Sequence, residues 1–204
     1  MLFDREYKND PNDSSEGMDE QGSLRIVTND TLSFNTEITE ESADDFIQAV
    51  YLMNNALQRI ALDYPSYKPR INILLSTQGG SVYDVIRMVD SVICSTIPVN
   101  MYASGIVASS GLFLLLNGTN RYSFPHTSFL YHEVTGGFTG NKSKLRDYYQ
   151  HTENLVGRID SMVLEKTNIT KEQLENMAKQ EYWFDAKDAL ELGFVTEIVS
   201  KIKI

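Results

Sequence analysis

Apolar residues return at helical spacing from about Thr39 to Leu62, where Ala43, Phe46, Ile47, Val50, Leu57, Ile60 and Ala61 share one face. This pattern predicts a core-packed helix, with Ser42 and Asp45 as its N-terminal capping pair. Before it, Leu24 to Thr28 (LRIVT) predicts a short strand; after it, Pro65 and Pro69 close a loop. The continuous apolar run Ile71 to Ser76 (INILLS) predicts a buried strand, which ends in T-Q-G-G and is followed by a helix from about Val82 to Cys94. Val99 to Ser104 (VNMYAS) predicts another strand, feeding into Gly105 to Gly118, G-I-V-A-S-S-G-L-F-L-L-L-N-G. There two serines separate a small-residue entry from a run of helix formers. The strand-turn-helix order thus occurs twice, with glycine at both turns. This implies an α/β domain whose reactive groups gather at the strand ends.

Beyond Gly118, Arg121 to Phe124 and Ser128 to His132 read as strands flanking Pro125. The second leads into Y-H-E-V-T-G-G-F-T-G and then a polar, tyrosine-rich helix from about Lys142 to Lys166. The charged faces and length of that helix suggest that it extends from the core to meet another subunit. A short helix from Lys171, the segment Q-E-Y-W-F-D-A, a helix from Ala186 to Leu192 capped by Gly193, and a last strand F-V-T-E-I-V complete the chain.

Charge narrows the picture. The net charge is −10, and an acidic chain lacks the basic face that phosphate binding needs, so nucleic acid is not an expected partner. Half of that charge falls in residues 1–24, where Asp4, Glu6, Asp10, Asp13, Glu16, Asp19 and Glu20 face only Arg5 and Lys8. We expect an acidic flexible tail over 1–24 and one folded domain over 25–204. The longest apolar stretch, Leu112 to Leu116, is too short to cross a bilayer, and the first residues have no signal-peptide pattern; a cytoplasmic protein without membrane contact is expected. The single cysteine, Cys94, excludes an intrachain disulfide and reads as a small buried hydrophobe. His126, His132 and His151 lack zinc-site spacing, and no metal is expected.

Against this background the serine pair gains meaning. A serine at a helix N-terminus lies where backbone N–H groups and the helix dipole favour developing negative charge. A serine hydrolase also needs a base, a group that orients it, and oxyanion donors. Ser109 is the candidate nucleophile and His132, at a strand end, the candidate base; the turn Gly79, Gly80, Ser81 and the N–H of Ser110 are candidate donors. Taken singly, each reads as packing or as a solvated side chain. The constellation carries the argument.

The intervals between these parts resemble those of the ClpP-like serine peptidases, the proteolytic subunits of Clp proteases, over roughly residues 25 to 199. S-T-Q-G-G-S-V at 76–82 is similar to the family's oxyanion turn, and G-I-V-A-S-S-G at 105–111 to its G-x-A-A-S-M-G nucleophile segment, which selects Ser109 over Ser110. F-P-H-T-S-F-L-Y-H-E-V-T-G-G at 124–137 is similar to its proline-then-histidine block and puts the base at His132. W-F-D-A-K-D-A-L-E-L-G-F-V at 183–195 resembles its F-x-S-A-x-E-A-x-x-Y-G-L-V ending. The family's acid then falls on Glu181, where the usual residue is Asp; Asp185 and Asp188 are alternatives that otherwise read as a helix cap and a surface charge. Gln78 stands for a proline, Ser110 for a methionine, and Glu133-Val134 for Gln-Pro.

The resemblance implies a ClpP/crotonase-like α/β spiral of β-β-α units with an extended helix used in oligomerisation. It implies a serine endopeptidase that forms two stacked heptameric rings and receives unfolded polypeptide from a separate AAA+ unfoldase. ATP enters only through that partner, and the chemistry needs no cofactor. Two other readings compete: a detuned or inactive ring component serving as a scaffold, and a crotonase-type acyl-CoA enzyme on the same fold.

Overall fold

The computed structural model describes residues 24–28 and 30–203. The expected tail, residues 1–23 of it, lies outside the described residues. The chain begins with a hairpin of β1 (Leu24–Thr28) and β2 (Thr31–Asn35), paired antiparallel with Leu24 opposite Phe34. No strand was expected over 31–35: only Leu32 and Phe34 mark the alternation in T-L-S-F-N, too short a signal to separate from a loop, yet both are fully buried.

Helix α1 (Glu40–Asp63) follows. Its cap differs from the expected one. Thr39 is the N-cap, its Oγ1 accepting from the Ser42 N–H, while Ser42 Oγ accepts from the Thr39 N–H; Ser42 closes a capping box begun by Thr39. Ala43, Phe46, Val50 and Leu57 are buried as the periodicity requires, whereas Ile60 is exposed in the last turn. Next come β3 (Ile71–Thr77) and α2 (Val82–Ile93). Cys94 is the C-cap of α2 and is exposed rather than buried. The buried face of α2 is Val85, Met88, Val89 and Val92, and the residue two past Val92 leaves that face.

Strand β4 (Val99–Ala108) is longer than expected and organises the sheet. Its pairing with β3 passes from Leu75 opposite Ala103 to Thr77 opposite Val107. The extra β4 residues form a bulge in which Gly105 sits at φ 65°. The predicted turn at Gly105 is therefore a bend within a strand. Ahead of the bend β4 pairs in parallel with β5 (Asn120–Ser123), and beyond it with β6 (Ser128–Tyr131). Helix α3 (Ser110–Leu116), every residue of it buried, leaves the end of β4 directly.

Helix α4 (Lys142–Lys166) buries only Leu155, Ile159 and Val163, all in its second half; Leu145 and Tyr149 in its first half are exposed. After α5 (Lys171–Ala178), the segment Y-W-F-D forms β7 (Tyr182–Asp185), antiparallel to β6. Asp185 caps α6 (Ala186–Glu191), accepting from the N–H groups of Lys187 and Asp188, and Gly193 ends that region at φ 82°. Strand β8 (Glu197–Ile198) pairs with β5. The sheet runs β1-β2-β3-β4-β5-β8, with β6 and β7 branching from the far end of β4. Among the described residues no helix is long and apolar enough to cross a membrane.

Candidate active site

Ser109 is the joint between β4 and α3. It is the one non-glycine residue with positive φ among the described residues, at φ 53° and ψ −127°. That conformation costs a β-carbon-bearing residue roughly 1–3 kcal/mol and persists only where its surroundings impose it. The surroundings are the ladders on either side. The Ser109 N–H donates to Leu130 O of β6 at 2.9 Å, and its carbonyl accepts from the Leu112 N–H at 3.0 Å. A sharp strand-to-helix turn of this kind lifts the side chain out of the backbone ladder.

His132 lies one residue beyond β6, two after the Leu130 that holds Ser109. Its Nε2 is 2.7 Å from Ser109 Oγ. The candidate nucleophile and the candidate base are thus positioned by the same strand. The hydroxyl can donate to the imidazole, which is the arrangement that activates a serine.

The glycine turn approaches from the other side. Gly79 and Gly80 have φ of 95° and 144°. A β-carbon on Gly79 would sit 2.7 Å from Ser109 Cβ, and one on Gly80 would sit 2.2 Å from Ile38 O. Neither position has room for a side chain. Ile38 clamps the turn, donating its N–H to Gly79 O at 2.8 Å and accepting from the Ser81 N–H at 2.9 Å. The Gly79 N–H donates to Thr77 Oγ1 at 3.0 Å, so the Gly79 and Ser81 donors are both engaged. The N–H groups of Gly80 and Ser110 have no acceptor among the described residues. Ser81 instead caps α2, its Oγ accepting from the Asp84 N–H at 3.3 Å.

Glu181 stands apart. The antiparallel β6–β7 ladder ends where Tyr131, the residue before His132, faces Tyr182, the residue after Glu181. It is exposed, and among the described residues it makes no hydrogen bond to the imidazole. Asp185 is committed to its cap, where the Asp188 and Lys187 N–H groups lower its pKa, and Asp188 completes the capping box. Neither contacts His132.

Sequence reasoning missed two contributors. Ile38 acts through its backbone, which carries no residue-type signal, and Leu130 does likewise. It also passed over Asp160 on α4, which packs against β6. Asp160 lies 3.5 Å from Tyr131 Oη, and burial raises its pKa. Burial first and then Asp160 also push the Tyr131 phenol upward.

A model of the Clp protease family matches residues 20–202. The chain is 28% identical to the ATP-dependent Clp protease proteolytic subunit 2 of Pseudomonas aeruginosa, over 79% of this chain and 77% of that one. It is 30% identical to the ATP-dependent Clp protease proteolytic subunit of Lactococcus lactis, over 70% and 73% respectively. Among solved structures, a ClpP1 variant from Listeria monocytogenes superposes with a TM-score of 0.72 at 23% identity, covering 85% of this chain and 92% of that chain.

Proposed function

This chain belongs to the Clp protease family, and on that premise we propose that it is the serine endopeptidase subunit of a self-compartmentalised, ATP-dependent protease that hydrolyses peptide bonds of unfolded polypeptides. The observation that carries this reading is the 2.7 Å approach of Ser109 Oγ to His132 Nε2. His132 takes the hydroxyl proton as Oγ bonds to the peptide carbonyl carbon. The N–H groups of Gly80 and Ser110 hold the resulting oxyanion. The imidazolium then gives its proton to the leaving amine as the C–N bond breaks, and water, deprotonated by His132, hydrolyses the acyl ester. Glu181 is the group assigned to orient the imidazole through Nδ1.

The reading needs no metal or small cofactor, with ATP consumed only by a separate AAA+ unfoldase. The particle is a homo-oligomer, two stacked heptameric rings in the cytoplasm. The exposed Leu145 and Tyr149 on the first half of α4 support such an assembly, since apolar side chains on an extended helix gain most by pairing with a second copy.

The test is the intact and peptide-mapped mass of the protein after treatment with a fluorophosphonate. A single adduct on Ser109, lost in Ser109→Ala, is expected. A folded, assembled particle without an adduct would sink the reading. One observation favours a second reading, a ring component without activity of its own: the candidate acid is exposed and makes no hydrogen bond to His132. The same absence of an adduct would be its signature.

A further inference from the structure

Strand β3 ends on a polar side chain in an apolar place. Ile71, Ile73 and Leu75 are fully buried on one face of the strand, and Thr77 takes the next position of that face at 3% exposure. A hydroxyl set where an aliphatic residue would pack is costly unless it is hydrogen-bonded. Its partner is the Gly79 N–H, which Thr77 Oγ1 accepts at 3.0 Å.

That bond reaches the candidate site through atoms in contact. Gly79 packs directly on the β4–α3 joint: a β-carbon on it would lie 2.7 Å from Ser109 Cβ, 2.8 Å from Ala108 O and 3.1 Å from Ser110 N. Gly79 is pinned at both ends, its N–H by Thr77 Oγ1 and its carbonyl by the Ile38 N–H at 2.8 Å. The Gly79–Gly80 peptide is planar and trans, so its N–H points away from its carbonyl. The direction of the Gly80 N–H therefore follows from how Gly79 is held at φ 95°. A glycine released at one end has many other conformations open to it. The methyl branch of Thr77 has a separate task, since its Cγ2 lies 2.4 Å from where a β-carbon on Gly111 would sit and so packs under the first turn of α3.

We propose that Thr77 is a positioning residue for the oxyanion site, its hydroxyl holding Gly79 in the conformation that aims the Gly80 N–H at the developing oxyanion. The inference rests on the peptidase reading and adds the buried side chain that orients one of its donors. An oxyanion donor acts in the transition state rather than in the ground-state complex. Loss of the Thr77 hydroxyl therefore lowers the maximal rate and leaves affinity for the unreacted ligand in place. Loss of the methyl is a matter of packing alone.

The test follows acylation of Ser109 by a fluorophosphonate in the full chain, read as the maximal first-order rate and the half-saturating concentration. Thr77→Val exchanges the hydroxyl for a methyl and keeps the packing against Gly111. It is expected to lower the maximal rate about thirtyfold, somewhat less than outright loss of a donor, with half-saturation unchanged. Thr77→Ser keeps the hydroxyl and gives up the methyl, and is expected to stay within about threefold of the parent. A role in packing alone predicts the reverse order, with serine the poorer of the two. Valine at the parent's rate, serine as slow as valine, or an effect confined to half-saturation overturns the proposal. Should Thr77→Val misfold by circular dichroism, Thr77→Ala is compared with Thr77→Ser instead, a pair that differs by the hydroxyl alone, with the same expectation. The parent separates the two readings. A parent that is acylated at Ser109 no faster than Thr77→Val removes Thr77 and leaves the peptidase; a parent that takes no adduct removes both.

Discussion

Ser109 and Glu181 are proposed for one catalytic unit, yet the fold treats them in opposite ways. Ser109 is held by β4 behind it, α3 ahead of it and a hydrogen bond to β6 beside it, firmly enough to sustain φ 53° at a residue with a β-carbon. Glu181 precedes β7, is exposed, and reaches no partner on the imidazole. The proposed nucleophile, base and oxyanion turn are carried on positions fixed by backbone geometry, which tolerates side-chain substitution. The acid depends on the reach of one flexible side chain. Divergence within a protease scaffold is thus easier to absorb on the nucleophile's side than on the acid's.

The most severe way to break the firm half is to remove its oxygen. Ser109→Ala is expected to lower peptide hydrolysis by about 10⁴-fold or more, with the fold retained. Ser109→Gly loses the same activity but frees the backbone from its strain, and its thermal stability is expected to exceed that of Ser109→Ala by about 1 kcal/mol. If the two variants melt together, the φ 53° conformation stores no strain.

Gly80→Ala tests the turn. A β-carbon 2.2 Å from Ile38 O cannot be accommodated without moving the backbone, which displaces the Gly80 N–H. Loss of one oxyanion donor is worth about 10²–10³ in rate. The rate of Ser109 acylation by a fluorophosphonate is the measurement. An unchanged rate would remove Gly80 from the oxyanion assignment.

On the loose half the effect is smaller. Glu181→Gln is expected to lower kcat/KM by about tenfold to a hundredfold, well short of the roughly 10⁴-fold loss when a fully engaged triad carboxylate is neutralised. Glu181→Asp shortens the reach by one methylene and is expected to fall between Gln and the parent. Equal kcat/KM for all three would mean that His132 is oriented without Glu181.

The same contrast governs what could be read from the chain. That Ser109, His132 and the glycine turn would be brought together was legible because the signal resides in residue types. Glycines occupy positions where nothing larger fits, a serine stands before a helical run, and a histidine closes an apolar strand. What escaped was backbone: β2, whose signal is only Leu32 and Phe34, the Ile38 clamp, and the continuation of β4 through Gly105. Alignment of the terminal block led to Glu181, but no one-dimensional pattern distinguishes an acid beside the end of the β6–β7 ladder from one bonded to His132. Cys94 was misjudged because its neighbours Val92 and Ile93 are apolar, whereas helical geometry leaves Ile93 62% exposed and turns Cys94 outward with it.

The least of the expected effects lies one residue from the nucleophile. Ser110 is 1% exposed, and its Oγ has no hydrogen-bond partner among the described residues, although its N–H is a proposed oxyanion donor. A buried hydroxyl left unpaired costs about 1–3 kcal/mol, while alanine keeps the backbone donor and begins a helix at least as well. Ser110→Ala is therefore expected to gain about 1 kcal/mol, a rise in Tm of about 2–4 °C for a domain of this size. The smaller volume of alanine opposes the gain by leaving a slight void, which keeps the expected increase at the lower end. A fall in Tm would mean that the hydroxyl is satisfied by buried water and contributes to holding the first turn of α3. The firm half would then depend on a side-chain interaction as well as on its backbone ladders.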